Sequence, residues 1–140
     1  MIVVDTNVVS ELTRKDPAPE VVGWVDSLAA ADIATTAITA AELLHGVARL
    51  PDGRRKTELS AAVRGLLSED FGDRVLPFDG TAASRYAEIV SRRERLGRRI
   101  GIADAQIAAI CSAIGATLAT RNTDDFEETG VHLINPWNLA

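Results

Sequence analysis

Apolar residues along the chain alternate between two spacings, and the switches between them mark out its elements. Ile2-Val3-Val4 is a short β-branched run that reads as a buried strand, and Val8, Val9 and Leu12 then take up helical spacing until Pro17 and Pro19 interrupt it. Val21, Val22, Val25 and Leu28 predict a second helix to about Ala30, and Ile33 to Ile38 a second strand with a threonine-rich end. Thr39-Ala40-Ala41-Glu42 has the form of a capping box, opening a helix whose Leu43, Leu44, Val47 and Leu50 share one face. After the break at Pro51-Asp52-Gly53, a helix is expected from about Arg54 to Glu69, then a short strand at Val75-Leu76. Asp79 or Thr81 opens a long helix to about Leu96. Gly97 and Gly101 bracket a basic turn before a helix with Ala103, Ile107, Ile110 and Ile114 as its apolar stripe, and Thr117–Ala119 and His132–Ile134 read as the last two strands.

Short strands separated by helices pair in parallel through crossovers. The expected fold is therefore α/β, a three-layer helix–sheet–helix sandwich with a mostly parallel sheet of four to five strands. With 140 residues and no long linker, residues 1–140 are expected to form a single domain. A chain of this length buries roughly 68–70% of its unfolded surface and needs no covalent staple. The single cysteine, Cys111, excludes an internal disulfide and fits a reducing compartment. The leading apolar run meets Asp5 at once, so no signal peptide is read, and no stretch is long and apolar enough to span a bilayer. A cytoplasmic protein is expected.

The net charge of -5, from 15 basic and 20 acidic residues, argues against binding nucleic acid by bulk electrostatics alone. It leaves open phosphate binding through cations held by carboxylates. Three acids are notable by position: Asp5 at the end of the first strand, Glu42 in the first turn after the second strand, and Asp104 in the first turn of a later helix. In an open parallel sheet these places face one edge. Each acid alone has a structural explanation: Asp5 as a helix N-cap, Glu42 as the capping-box partner of Thr39, and Asp104 as complement to a helix dipole. Asp124 and Asp125, which follow the fourth strand, read singly as turn residues. Together, clustered carboxylates repel unless a cation is present. Magnesium or manganese, with oxygen ligands and retained waters, relieves that repulsion and supports phosphodiester hydrolysis by metal-activated water.

These residues together resemble the PIN-domain ribonucleases, specifically the VapC-like toxins of type II toxin–antitoxin pairs. The matching segments are Val3-Val4-Asp5-Thr6-Asn7 with Ser10-Glu11, Thr39-Ala40-Ala41-Glu42-Leu43 with Gly46, Leu76-Pro77-Phe78-Asp79, Ile102-Ala103-Asp104-Ala105-Gln106-Ile107-Ala108-Ala109, and Leu118-Ala119-Thr120-Arg121-Asn122. Asn135-Pro136-Trp137 is similar to the ending of the FitB-like branch. The resemblance implies a magnesium- or manganese-dependent endoribonuclease with Asp5, Glu42 and Asp104 as its core acids. Thr6, Asn7 and Thr120 would orient ligands or water. A cognate antitoxin would hold the toxin inactive, and a homodimer is implied. The family often carries a fourth acid where this chain has Asn122, so Asn122 or, one helical turn on, Asp125 would complete the metal site.

Arg92, Arg93, Arg95, Arg98 and Arg99 form the strongest basic cluster. Its structural explanation is a solvated helix end, with Glu88–Arg92 and Glu94–Arg98 spaced for ion pairing. Arg98 and Arg99 precede the Asp104 helix and are candidate RNA contacts. His45 reads as a surface or helix-packing residue, and core packing is expected for Trp24 and Trp137. Two other readings use the same acidic crevice: a phosphoacceptor domain, and a non-catalytic domain that docks a regulator or binds magnesium. The first wants a lysine near the last strands, but Lys15 and Lys56 are the only lysines.

Overall fold

The computed structural model describes residues 1–139. Its strands are β1 (Ile2–Val4), β2 (Ile33–Thr36), β3 (Val75–Leu76), β4 (Thr117–Ala119) and β5 (His132–Ile134). The helices are α1 (Thr6–Leu12), α2 (Pro19–Asp26), α3 (Ala37–Ala48), α4 (Arg54–Gly65), α5 (Gly80–Arg95) and α6 (Ile102–Ile114). The sheet is parallel throughout, in the order β3-β2-β1-β4-β5. The sandwich read from the sequence is therefore the fold observed. No helix among the described residues is long and apolar enough to cross a membrane.

Alternation along the strands builds the two cores. Val3 and Leu118 point to one face and pack with Ile89 of α5 and with Ile107 and Ile110 of α6. Val4 and Ala119, one residue on, point to the other and pack with Val8, Val9, Val21, Leu43 and Val63 of α1–α4. With both faces covered, the four-residue β2 is buried along its whole length, as central parallel strands are. Gly115, at φ +66°, ends α6 in the left-handed conformation and returns the chain to β4.

Strand order fixes the place of the site. The chain moves outward from β1 to β2 to β3, then returns to lay β4 on the other side of β1. Between β1 and β4 the order reverses, and a crevice opens beyond their carboxyl ends. Asp5 follows β1 directly and Thr120 follows β4 directly.

Several element boundaries differ from the sequence reading. β2 stops at Thr36 rather than Ile38, because the Thr36 hydroxyl caps α3 by accepting the Thr39 N–H at 3.1 Å. The capping box at Thr39 is thus displaced: Thr39 lies inside the helix and Glu42 a turn further in, so capping does not explain Glu42. α2 begins at Pro19, which its fixed φ suits to the first helical turn, and ends at Asp26. The helix expected to reach Glu69 is α-helical only to Gly65. It then widens into a π-helical stretch, Leu66–Phe71, that buries Phe71.

Candidate metal centre

Asp5 is the most buried acid of the set, 5% exposed. It sits between strand and helix, in extended backbone, and caps α1 by accepting the Thr6 N–H at 2.8 Å. The capping explanation therefore holds for one of its oxygens. Its other oxygen, Oδ2, accepts the Thr120 hydroxyl at 2.8 Å and faces the Asn7 Nδ2 at 3.4 Å. Asn7 in turn reaches the Thr120 Oγ1 at 3.3 Å and accepts the Arg121 N–H at 3.2 Å. The Asn122 N–H donates to the Thr120 hydroxyl at 3.1 Å. This mesh ties the end of β1 to the end of β4 and sets the orientation of the Asp5 carboxylate.

On the β2 side, the Thr6 hydroxyl donates to Glu42 Oε1 at 2.6 Å and lies 3.2 Å from the Thr39 hydroxyl. Glu42 is solvent-exposed and is held towards Asp5 by this bond. Asp104 is half-buried in the first turn of α6.

The electrostatics bind these acids into one group. Burial pushes the Asp5 carboxyl above its ordinary range, against the lowering effect of Thr120 and Thr6, and the charges of Glu42 and Asp125 push it further. The Asp104 carboxyl is pushed up to about 6, first by burial and then by the charges of Asp5, Asp125 and Glu42, with Arg93 opposing. Four carboxylates from distant parts of the sequence thus share one field. Asp125, on a 3-10 turn at Thr123–Phe126, is the fourth. The structure brings Asn122 in through its backbone N–H, whereas the Asp125 charge is felt by both Asp5 and Asp104.

A stability consequence follows for Asp104. Its carboxyl titrates near 6 in the folded chain against 3.8 ordinarily, so the folded state holds the proton over a window where the unfolded chain has lost it. The stabilising effect of that proton is complete below 3.8 and is lost as pH rises through about 6. After discounting for partial solvent screening, the ionised carboxylate costs on the order of 1–2 kcal/mol at neutral pH. Asp104→Asn is expected to be more stable than the parent by that amount at pH near 7. The advantage should vanish near pH 4, as read by denaturant unfolding.

Among the described residues, no three His, Cys, Asp or Glu side chains converge closely enough to grip an ion by themselves. The donor set is all oxygen and strongly anionic. That suits a hard divalent cation held by one or two carboxylates with several retained waters, the usual manner of magnesium, rather than an all-protein cage. Beside Asp104 lies a polar cleft of about 410 Å³ with Arg98, Arg99, Asp124 and Asp125 on its walls. A slightly larger, more apolar cleft of about 430 Å³, between Leu12, Val25, Leu66 and Phe71, holds none of these acids and is set aside as the reaction site.

The sequence of the PIN domain family matches this chain over residues 2–131. The chain belongs to the PIN-domain family. It is 41% identical to a VapC ribonuclease, Y4jK, of Sinorhizobium fredii, over 100% of both chains. It is 42% identical to the toxin FitB of Neisseria gonorrhoeae, over 99% of both. A chain in the solved structure of FitAB bound to an IR36 DNA fragment superposes with a TM-score of 0.93 at 41% identity, covering 100% of this chain and 98% of that one. Within the PIN family, the chain therefore stands with the VapC- and FitB-like toxins, the branch its motifs resemble.

Other residues of this PIN chain fall into place less as the sequence implied. The expected Glu88–Arg92 and Glu94–Arg98 pairs are replaced by pairs across to another loop, Arg92 with Glu128 at 3.0 Å and Arg98 with Glu127 at 3.1 Å. Arg93, grouped by sequence with a solvated cluster, is only 4% exposed. The signal was present: Ala82, Tyr86, Ile89 and Arg93 recur at helical spacing, and Arg93 continues the apolar stripe. Glu11 is also buried and takes the Ala18 N–H at 2.9 Å, fastening the α1–α2 connection. Trp24 and Trp137 pack against the α1–α4 core, and His45 is exposed. The sequence reading passed over Arg121, whose guanidinium lies 4.9 Å over the Trp137 ring.

Proposed function

We propose that this chain is the toxin of a toxin–antitoxin pair. It acts as an endoribonuclease that uses magnesium or manganese, with Asp5, Glu42 and Asp104 as catalytic acids. The carrying observation is the gathering of Asp5, Glu42, Asp104 and Asp125 at the switch point of a parallel sheet, where burial first and then the charges of the other acids lift Asp104 to about 6. A relative named as a ribonuclease and another named as a toxin supply the class of reaction. When bound, the divalent ion supplies positive charge against the phosphoryl oxygens and makes water acidic enough to attack at neutral pH.

The residues divide the work. Asp5 and Asp104 would hold the ion, with Glu42 and Asp125 adding charge and accepting protons from its waters. Thr120, Asn7 and the Thr6 N–H keep the Asp5 carboxylate in one orientation, and the Thr6 hydroxyl does the same for Glu42. Asn122 is the weaker candidate ligand, since an amide adds no charge. Arg99 would meet RNA phosphate. Arg98 is already paired with Glu127, so its contribution would require exchanging that exposed pair.

The proposal extends to one PIN unit over residues 1–140, in the cytoplasm, assembled as a homodimer and silenced by a cognate antitoxin lying over the acidic crevice. An antitoxin arginine could pair there with the carboxylates. A phosphoacceptor role is less well supported, because Lys56 is engaged with Ala48 and Asp52 instead of the acidic edge.

The test is the purified chain on defined RNAs, with manganese or magnesium against a chelator. Cleavage is expected only with metal and is expected to stop when a co-purified antitoxin is added back. Cleavage that persists in chelator would contradict the metal-dependent reading.

A further inference from the structure

An acidic edge repels the polyanion it is meant to cut, so cations must flank it. The described arginines of this edge are mostly committed: Arg92 and Arg98 are paired with Glu128 and Glu127, and Arg93 is buried against backbone carbonyls. Arg121 is different. It is exposed, and its guanidinium makes no ion pair or hydrogen bond with the described residues, although its charge reaches Glu11. Glu11 is satisfied by the Ala18 N–H and by Arg14. The Arg121 guanidinium instead rests on the indole of Trp137. Its backbone N–H is fixed by Asn7, whose own amide faces Asp5, so Arg121 stands two hydrogen bonds from the central acid.

We propose that Arg121, held on Trp137, is a phosphate-binding residue of the RNA site that grips the substrate backbone on the Asp5 side of the acidic edge, opposite Arg99. This rests on the ribonuclease reading and adds a direction to it. An arginine stacked on an aromatic ring has lost much of its conformational freedom, and stacking leaves its edge N–H groups free to fork onto a phosphate. Stacking also keeps the cation from collapsing onto the neighbouring carboxylates, where it would compete with a metal ion. Trp137 is the positioning residue. Arg99 precedes the Asp104 helix and Arg121 follows the strand beside Asp5, so an RNA backbone touching both crosses the acids between them.

The experiment measures a labelled mixed-sequence single-stranded RNA binding to the full chain in chelator over a range of salt, together with KM and kcat for its cleavage in manganese. Arg121→Gln is expected to weaken RNA binding about fivefold or more and to flatten the log–log salt slope by about 0.7, one phosphate contact of a single strand. The loss should fall on KM more than on kcat, with manganese affinity unchanged. Arg121→Lys should restore the salt slope but only part of the affinity, and Trp137→Leu should weaken affinity while keeping the slope. An Arg121→Gln protein with parental RNA affinity and slope would overturn the inference. If the parent chain did not cleave RNA in manganese, the ribonuclease reading itself would fail, which is a separate outcome.

Discussion

Asp5→Asn is expected to lower metal-dependent RNA cleavage by about 100-fold or more, close to 3 kcal/mol of transition-state stabilisation, while leaving the fold intact. The substitution preserves shape and removes one charge. Asp5 is 5% exposed and both of its oxygens have partners; an asparagine keeps the Thr6 contact through its carbonyl, while its amide has to compete with Asn7 and Asn122 for the Thr120 oxygen. What it cannot keep is the negative charge that a divalent ion needs at the centre of the site. Stability is expected to move the other way. Burial raises the Asp5 carboxyl, so its ionised form is disfavoured in the folded chain, and removing the charge relieves that cost at neutral pH. A variant that melts no lower than the parent yet has lost cleavage separates a site residue from a structural one. Equal loss of both would make Asp5 a helix cap and no more.

Arg93→Ala is expected to cost about 3 kcal/mol, lowering the melting temperature by roughly 10 °C. The guanidinium is buried and donates to the carbonyl oxygens of Arg98 at 2.6 Å, Asp125 at 3.0 Å and Glu127 at 2.9 Å. One side chain thus joins the end of α5, the turn that leads to α6, and the turn that carries Asp125. Truncation leaves these carbonyls without a donor inside a cavity, and both effects destabilise. Arg93→Lys should recover only part of the loss, because a compact ammonium cannot span three acceptors set in a fork. A loss below about 1 kcal/mol in denaturant unfolding would mean that water replaces the guanidinium at little cost.

The elements were legible in the sequence where a single spacing governs them. The β-branched run Ile2–Val4, the stripe Ile107–Ile110 and the short run His132–Ile134 needed no tertiary information, and their order implied a parallel sheet. The order β3-β2-β1-β4-β5 was not legible, since pairing between short buried strands depends on how the helices cover them. Boundaries failed where two residues compete for one role: both Thr36 and Thr39 can cap a helix, and packing of β2 selects Thr36. The site was partly legible. Asp5, Glu42 and Asp104 stood out by position and by the resemblance to PIN toxins, and the structure places them in one field. The relative standing of Asn122 and Asp125 depends on the 3-10 turn at Thr123–Phe126, which no periodicity announces. The separate fates of Arg93, Arg98, Arg99 and Arg121 depend on partners far away in sequence.

The central claim is that these acids form one divalent-metal site, and it is tested most directly by titrating manganese into the purified chain and into Asp5→Asn by calorimetry at neutral pH. The account predicts saturable binding to the parent, with proton release that grows as the titration is repeated towards pH 6, where the Asp104 carboxyl titrates, and loss of that binding in the variant. Equal manganese affinity in the two proteins would contradict it.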